Sequence, residues 1–129
     1  IQKLSVIEVI FLFYAALLYI FFHVHDPTTL NRQGNDVGTQ YRSTVMYAHK
    51  REKSAHSVIE EVTKEGKYPG APAKIVTEVV KMDTFYEAED YHQNYFNLNP
   101  TQGYCKAVIK PKVSKFRQLF KEYMDNEKL

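Results

Sequence analysis

Hydrophobic side chains concentrate in one continuous run near the start of the chain. Residues 9–22, VIFLFYAALLYIFF, are fourteen apolar positions in a row, whereas a helix that spans a bilayer needs roughly twenty. Extending the run to residues 4–24 reaches that length only by including polar side chains such as Glu8, and no lysine or arginine directly follows its apolar end. We therefore predict a buried helix that ends before Pro27. A membrane anchor over residues 4–24 stays open as the alternative.

The next part of the chain alternates between polar and strand-like patterns. Residues 28–40 are rich in Thr, Asn, Gly and Gln, so they predict an irregular loop without a regular element. The alternation in YRSTVMY, residues 41–47, predicts a short strand, and the β-branched run KIVTEVVKM, residues 74–82, predicts another. Loops that hold their shape often carry function, which makes residues 28–40 the first place to look for a site.

Two helices are predicted from apolar spacing and from end signals. Residues 50–65 place apolar side chains at the i, i+3, i+4, i+7 spacing of one buried face and stop at Gly66. These side chains are Ala55, Val58, Ile59 and Val62. A second helix is expected through AEDYHQNYFN, residues 88–97, because Asp83 or Thr84 can cap it and its acidic residues lie in the favourable first turns.

A last helix is predicted from near Pro111, since proline is favoured in a first helical turn. Its apolar side is formed by Val113, Phe116, Phe120 and Tyr123. With 129 residues and 44% hydrophobic side chains, the chain has the size and composition of one globular domain. The fold class that follows is α/β (α+β), with few strands and several helices.

Charge and cysteine content narrow the range of functions. The 17 basic and 15 acidic side chains are spread along the sequence and leave a net charge of +2, so there is no basic stripe of the kind that nucleic-acid binding needs. The single cysteine, Cys105, excludes an internal disulfide and a four-thiolate zinc site. A reducing compartment, the cytoplasm, is therefore the expected location.

The first candidate for chemistry is the segment GNDVGTQY, residues 34–41. Its glycines let the backbone turn sharply and approach a ligand, while the carboxylate of Asp36 and the phenol of Tyr41 can converge on one polar group. A purely structural loop is the alternative that loop chemistry alone favours, with Asp36 accepting backbone N–H bonds and Tyr41 packed with its hydroxyl satisfied.

The second candidate is the segment GYC, residues 103–105. A thiol next to the phenol of Tyr104 and before the positive charge of Lys106 could be reactive as a thiolate. An inert, half-buried Cys105 is the alternative, because free cysteine is among the residue types most often buried.

No metal site is predicted. Glu89 and His92 lie three positions apart and could share a helix face, but the sequence offers no further ligands at matching spacing. His49 and His56 are interpreted as surface positions of the charged helix over residues 50–65.

Three segments taken in order resemble one known family. HDPTTLNRQGNDVGTQYRS at residues 25–43, FYEAEDYHQNYFNLNP at 85–100 and NPTQGYC at 99–105 are similar to A-type peptide methionine sulfoxide reductases. The resemblance covers about residues 17–120. It implies a small α/β domain with a mixed sheet and flanking helices, of the ferredoxin-like kind. It also implies an oxidoreductase of protein repair under oxidative stress, which reduces methionine S-sulfoxide in proteins or free to methionine.

The resemblance also implies roles for individual residues. Asp36 and Tyr41 fall on the family's sulfoxide-pocket positions, with Tyr41 hydrogen-bonded to the sulfoxide oxygen, and Tyr104 lines the pocket. Cys105 matches the resolving cysteine, which attacks the sulfenic acid left by the first step. The disulfide so formed is reduced by thioredoxin, or by dithiothreitol in vitro. No bound cofactor is implied.

The sequence departs from the family pattern at the nucleophile. The family's GCFWG segment is missing, as are a second cysteine and any tryptophan. We therefore expect an N-terminally incomplete reductase, with a divergent apolar helix over residues 1–24 and a partial reductase domain over 25–129, inactive on its own and prone to associate through unpaired sheet edges. A non-catalytic module that binds methionine sulfoxide and a membrane-anchored fragment are the alternatives.

Overall fold

The chain consists of two compact units. The computed structural model describes residues 6–48 and 50–121, with side chains from residue 13 onward. The N-terminal unit is Ile1–Thr84 and the C-terminal unit is Phe85–Leu129. Each unit is described by itself.

The N-terminal unit begins with helix α1, Val6–Val24. One side of this helix supplies Leu18 and Phe22 to the core, while Phe13 and Leu17 are exposed on another. The helix predicted over residues 9–22 is confirmed, and among its described side chains, from Phe13 onward, the buried ones lie on one face. Among the residues that the structure describes, no helix combines the length and apolarity that crossing a bilayer requires.

A short hairpin corrects the prediction of an irregular loop over residues 28–40. Strands β1, Arg32–Gln33, and β2, Asp36–Val37, are antiparallel and joined by two residues. Gly34 occupies the first position of that connection with φ of 60°, a conformation that glycine adopts without a steric cost. A 3₁₀ turn, Thr39–Tyr41, follows the hairpin.

The two predicted strands exist but are shorter than expected. Strand β3, Thr44–Tyr47, pairs in parallel with strand β4, Glu78–Lys81, with Val45 opposite Val79. Val45 is buried in the core, whereas the next side chain, Met46, is exposed. The two strands form a sheet separate from the hairpin.

Helix α2, Glu52–Glu65, lies between β3 and β4 in the chain and packs against α1. Its apolar residues at helical spacing fall on the core side, where Ala55, Val58 and Val62 are buried. Gly66 ends the helix in the left-handed conformation, with φ of 62°, and its N–H donates to the carbonyl of Val62. Because spacing, stop signal and packing agree here, the prediction for this segment is confirmed.

In the C-terminal unit the helix predicted over residues 88–97 is wrong. The segment instead has a 3₁₀ turn at Asp90–His92 and a four-residue helix α3, Tyr95–Leu98, separated by Asn94 in the left-handed conformation. Residues 85–94 are exposed throughout. Without a buried apolar face, favourable caps and acidic first turns do not stabilise a helix of ten residues.

The last helix is present but begins earlier than predicted. Helical structure starts at residue 103, passes through a π-helical turn, Cys105–Ile109, and continues as α4, Lys110–Leu119. The wider π turn ends two residues before Pro111, which lacks the N–H that an α-helical turn would use. The predicted apolar side is half-buried or buried at Val113, Phe116 and Phe120. Tyr123 and His49 lie outside the described residues, and His56 is exposed as expected.

Candidate functional site

Asp36 and Tyr41 lie on the same loop of the N-terminal unit. Asp36 begins β2 opposite Gln33, and its side chain is exposed. The N–H of Gly38 donates to the carbonyl of Asn31 at 2.9 Å, which closes the base of the hairpin. Tyr41 ends the following 3₁₀ turn, where its N–H donates to the carbonyl of Gly38 at 3.0 Å. Its side chain is 40% exposed, so a carboxylate and a phenol are both accessible on this loop.

The first half of the loop is held by a reciprocal pair of hydrogen bonds. The N–H of Asp26 donates to Oε1 of Gln33 at 3.1 Å, and Nε2 of Gln33 donates to the carbonyl of Asp26 at 3.0 Å. The carboxylate of Asp26 in turn accepts from the N–H and the hydroxyl of Thr28 at 2.9 and 2.6 Å. This side-chain-to-backbone pairing takes the place of longer strands and gives the loop a defined shape.

The second half of the loop is anchored at the two residues that follow Tyr41. Nε of Arg42 lies 3.0 Å from Oε2 of Glu78, and its Nη1 donates to the carbonyl of Thr39 at 2.8 Å. Ser43 is buried and starts the parallel pairing, because its carbonyl accepts from the N–H of Glu78 at 3.0 Å. Tyr41 therefore combines an accessible side chain with a fixed backbone. Such a phenol can donate a hydrogen bond to a ligand oxygen, and the carboxylate of Asp36, on the same loop, can accept one.

The C-terminal unit holds Cys105 and Tyr104. The thiol of Cys105 is fully buried, whereas Tyr104 is half exposed and Lys106 is exposed. Oε1 of Gln102 accepts from the N–H groups of Tyr104 and Cys105 at 2.8 and 3.4 Å. Gln102 thereby caps the start of the helix that carries the thiol. Reaction of this thiol with a partner requires that it first become accessible.

Tyr104 also lines a cleft of about 410 Å³ in the same unit. The other lining residues are Tyr91, His92, Tyr95 and Gln102. His92 thus faces aromatic neighbours, its ring 4.3 Å from that of Tyr91, and it does not form a helical pair with Glu89. Three of these lining residues, Tyr91, Tyr95 and Gln102, were not identified from the sequence. In the described part of the chain, no three His, Cys, Asp or Glu side chains are grouped so that they could hold a metal ion.

A family model described as peptide methionine sulfoxide reductase matches residues 7–124. The chain belongs to the A-type peptide methionine sulfoxide reductase family. The match also covers most of helix α1, so it extends further toward the N-terminus than the start near residue 17 that the motifs indicated.

Relatives in bacteria share about half of their aligned residues with this chain. The peptide methionine sulfoxide reductase MsrA of a Nitratiruptor species is 52% identical over 112 residues, which are 86% of this chain and 62% of the relative. The MsrA of Deinococcus radiodurans is 54% identical over 108 residues, covering 83% of this chain and 51% of the relative. The chain thus spans between half and two thirds of the length of these curated relatives.

Solved structures of the family have the same fold over the matched part. Mxr1 from Saccharomyces cerevisiae in reduced form matches with a TM-score of 0.61 and 39% identity, over 70% of this chain and 48% of that one. Methionine sulfoxide reductase A of Corynebacterium diphtheriae matches with a TM-score of 0.60 and 32% identity, over 69% of this chain and 46% of that one. The predicted fold class, α/β with small sheets and helices, is confirmed.

Proposed function

We propose that this chain supplies the sulfoxide-binding loop and the resolving thiol of a peptide-methionine (S)-S-oxide reductase. Asp36 and Tyr41 hold the sulfoxide of a methionine side chain, in a protein or free. Cys105 resolves the sulfenic acid that the reduction leaves on a second thiol. The observation that carries the proposal is the loop of residues 31–43, where an exposed carboxylate and an exposed phenol stand on a backbone fixed by hydrogen bonds at both ends. Family membership supports the assignment of the ligand.

The sulfoxide-binding loop and Cys105 act in different steps of the reaction. A thiolate attacks the sulfoxide sulfur, the S–O bond breaks, and the oxygen leaves with a proton to end as a sulfenic acid on the attacking sulfur while methionine departs. A phenol that donates to the sulfoxide oxygen stabilises the charge that develops there. The thiolate of Cys105 then attacks the sulfenic sulfur, forms a disulfide and releases water. A dithiol, thioredoxin or dithiothreitol, restores both thiols.

Turnover by these 129 residues alone is not part of the proposal, because the sequence contains a single cysteine. An assay of the purified chain with methionine S-sulfoxide and dithiothreitol should give no methionine above a Cys105→Ser control. Formation of methionine that depends on Cys105 would contradict this expectation.

The binding role of the loop is tested by NMR titration with an N-acetylated, C-amidated methionine S-sulfoxide. We expect amide shifts concentrated at residues 36–41, a weaker response to the R epimer, and none to reduced methionine. Tyr41→Phe should weaken binding about fivefold, since it removes one hydrogen bond to the ligand while keeping the ring. The absence of any response to the S epimer at millimolar concentration, or equal responses to sulfoxide and methionine, would remove the proposal.

The full burial of Cys105 favours a second candidate, a module that binds methionine sulfoxide without reducing it. This candidate predicts the same titration result. It differs in that Cys105→Ala leaves every measurable property of the sulfoxide complex unchanged. In the reductase proposal Cys105 reacts instead with a sulfenic acid on another thiol, and the disulfide that forms is detected by mass spectrometry.

Reduction by thioredoxin and a cytoplasmic location complete the proposal. Both are consistent with a lone thiol, which is suited to exchange with a partner in a reducing compartment. A thioredoxin variant that lacks its second cysteine should trap the oxidised form of Cys105, and failure to trap it would favour another reductant.

A further inference from the structure

His25 joins three segments of the N-terminal unit through a continuous chain of hydrogen bonds. Its Nδ1 lies 2.6 Å from the carbonyl oxygen of Phe21, and its Nε2 lies 2.7 Å from Oγ of Ser43. The same Oγ lies 2.7 Å from Oγ1 of Thr77. The end of α1, the start of β3 and the start of β4 are therefore connected by side chains that lie 18 and 34 residues apart in sequence.

The first of these hydrogen bonds determines which group donates and which accepts in the others. A carbonyl oxygen only accepts, so Nδ1 of His25 carries the proton that bonds the carbonyl of Phe21. That carbonyl belongs to the last turn of α1. In the neutral ring Nε2 must then accept from the hydroxyl of Ser43, whose oxygen accepts from Thr77. The ring plane is further held by the ring of Phe21, with centroids 4.0 Å apart.

A serine hydroxyl within 2.7 Å of an imidazole nitrogen is also the arrangement of a nucleophile with its base. Ser43 does not fit that role, because it is only 6% exposed and its oxygen is shared with Thr77. These hydrogen bonds instead restrain the backbone at Ser43. Only Arg42 separates Ser43 from Tyr41.

We infer that His25 is a positioning residue for Tyr41, acting through Ser43. The hydroxyl chain fixes the start of β3, and the fixed strand sets the direction in which the preceding turn presents the phenol. The functional part of this inference rests on the proposed sulfoxide-binding role of Tyr41, whereas its structural part, the restraint on residues 41–43, can be measured without a ligand.

Two substitutions separate the two bonds of the imidazole. In His25→Asn the shorter amide can still reach the carbonyl of Phe21 but not Ser43. In His25→Gln the longer amide can reach Ser43, near the position of Nε2. If the restraint acts through Ser43, amide hydrogen exchange at Tyr41 and Arg42 should accelerate on the order of tenfold in His25→Asn and stay within about threefold of the unaltered chain in His25→Gln.

Further variants and internal references keep this test independent of overall stability. Ser43→Ala should reproduce the effect of His25→Asn. His23→Asn serves as the matched control, because Nδ1 of His23 bonds the carbonyl of Tyr19 in the same way at 2.8 Å, and residues 41–42 should keep their protection. The amides of Val58 and Val62 in α2 report the global opening of the unit.

The inference is supported if only the variants that lose the Ser43 bond accelerate Tyr41 and Arg42 relative to α2. It is overturned if His25→Asn and His25→Gln act equally, or if α2 accelerates by the same factor. Titration of the same samples with the S-sulfoxide peptide distinguishes the two proposals. If the unaltered chain does not bind, the sulfoxide role of Tyr41 fails while the exchange pattern stands. If it binds with equal affinity in His25→Asn, the positioning role fails while the sulfoxide role stands.

Discussion

Each of the two units of this chain is stabilised internally by a different kind of contact. In the N-terminal unit hydrogen bonds join segments that are far apart in sequence, such as Tyr19 with Glu65 at 2.7 Å and Ser43 with Thr77 at 2.7 Å. In the described part of the C-terminal unit the side-chain hydrogen bonds join near neighbours, such as Gln93 with the carbonyl of Ala88. The geometry of the first unit therefore depends on tertiary packing, and that of the second on local structure.

Burial follows the same division. The N-terminal unit has a connected core of apolar side chains from both helices, from β3 and from the turn before β4. These are Leu18, Phe22, Val45, Ala55, Val58, Val62, Tyr68 and Ile75. In the described part of the C-terminal unit the buried residues are Cys105 and Phe120, and large aromatic side chains such as Tyr86 are exposed. A substitution of one type should thus have very different effects in the two units.

The largest difference is expected for removal of a phenylalanine ring. Phe22 in α1 is fully buried, so Phe22→Ala should lower the free energy of unfolding by about 3–5 kcal/mol. Phe85, at the start of the C-terminal unit, is 78% exposed, and Phe85→Ala should change it by less than about 0.5 kcal/mol. Urea denaturation followed by circular dichroism measures both. Equal losses would show that the contrast between the units is wrong.

Glycine substitutions give the next largest effect. Gly70 has φ of 85°, and a Cβ there would lie 2.6 Å from Oδ1 of Asp26. Gly70→Ala should therefore cost about 2 kcal/mol or more, because a strained backbone and a steric contact combine. Gly66, with φ of 62° and open space around it, isolates the backbone contribution at about 1 kcal/mol.

Gly103 provides the comparison in the C-terminal unit. It lies at the start of the helical segment without a positive φ, and a Cβ added there would have no atom within 4 Å. Gly103→Ala should stabilise that helix by about 0.5 kcal/mol, since alanine has the higher helix propensity. Thermal denaturation monitored by circular dichroism measures these changes, and the loss of stability should decrease in the order Gly70, Gly66, Gly103. A destabilising effect at Gly103 would contradict the view that the start of this helix is unconstrained.

The same contrast explains which features could be predicted from the sequence. Helix α2 was predicted because its local signals and its packing coincide. Asp36 and Tyr41 became candidates because they lie within one continuous motif, and their role stays a prediction. The helix expected over residues 88–97 depended on caps and charges alone, and these signals are weak where no core receives an apolar face. In that segment, local signals without a buried apolar face did not specify a helix.

The anchoring residues of the candidate site could not be assigned their roles in this way. His25, Gln33, Ser43 and Thr77 act through bonds to residues that are 7 to 34 positions away. Nothing in the type or spacing of these residues indicates which partner each one finds. The short hairpin of residues 32–37 was missed for a related reason, because strands of two residues have no detectable alternation.

Buried tyrosine hydroxyls provide a prediction of intermediate size. The hydroxyl of Tyr68 donates to the carbonyl of Ala73 at 2.9 Å, so Tyr68→Phe should cost about 1 kcal/mol. The hydroxyl of Tyr14 is buried and has no hydrogen-bond partner among the described residues. Burial raises the pKa of Tyr14, an effect that the charge of Arg51 partly offsets. Tyr14→Phe should therefore stabilise the chain by about 1 kcal/mol.

The cation–π contact of Arg51, 5.0 Å from the centre of the Tyr14 ring, is kept in this variant because phenylalanine retains the aromatic face. Tyr91→Phe, on an exposed side chain of the C-terminal unit, is the matched control and should have no measurable effect. Opposite signs for Tyr14 and Tyr68 in urea denaturation are the expected result. A loss of stability in Tyr14→Phe would mean that its hydroxyl has a bonding partner after all.

The smallest effect is expected for the ion pair between Arg42 and Glu78. Both side chains are more than a third exposed, so Glu78→Gln should cost about 0.2–0.5 kcal/mol at low ionic strength, and less in 1 M salt, where the Debye length is about 3 Å. Arg42→Met should cost more than Glu78→Gln, because it also removes the bond from Nη1 to the carbonyl of Thr39. A double-mutant cycle in urea denaturation separates the two contributions. The ion pair and the buried hydrogen bonds through Ser43 restrain the same short segment beside Tyr41. The one that contributes the larger free energy provides the main restraint. A coupling above about 1 kcal/mol between Arg42 and Glu78 would assign that restraint to the surface, whereas a smaller one leaves it with the buried hydroxyls.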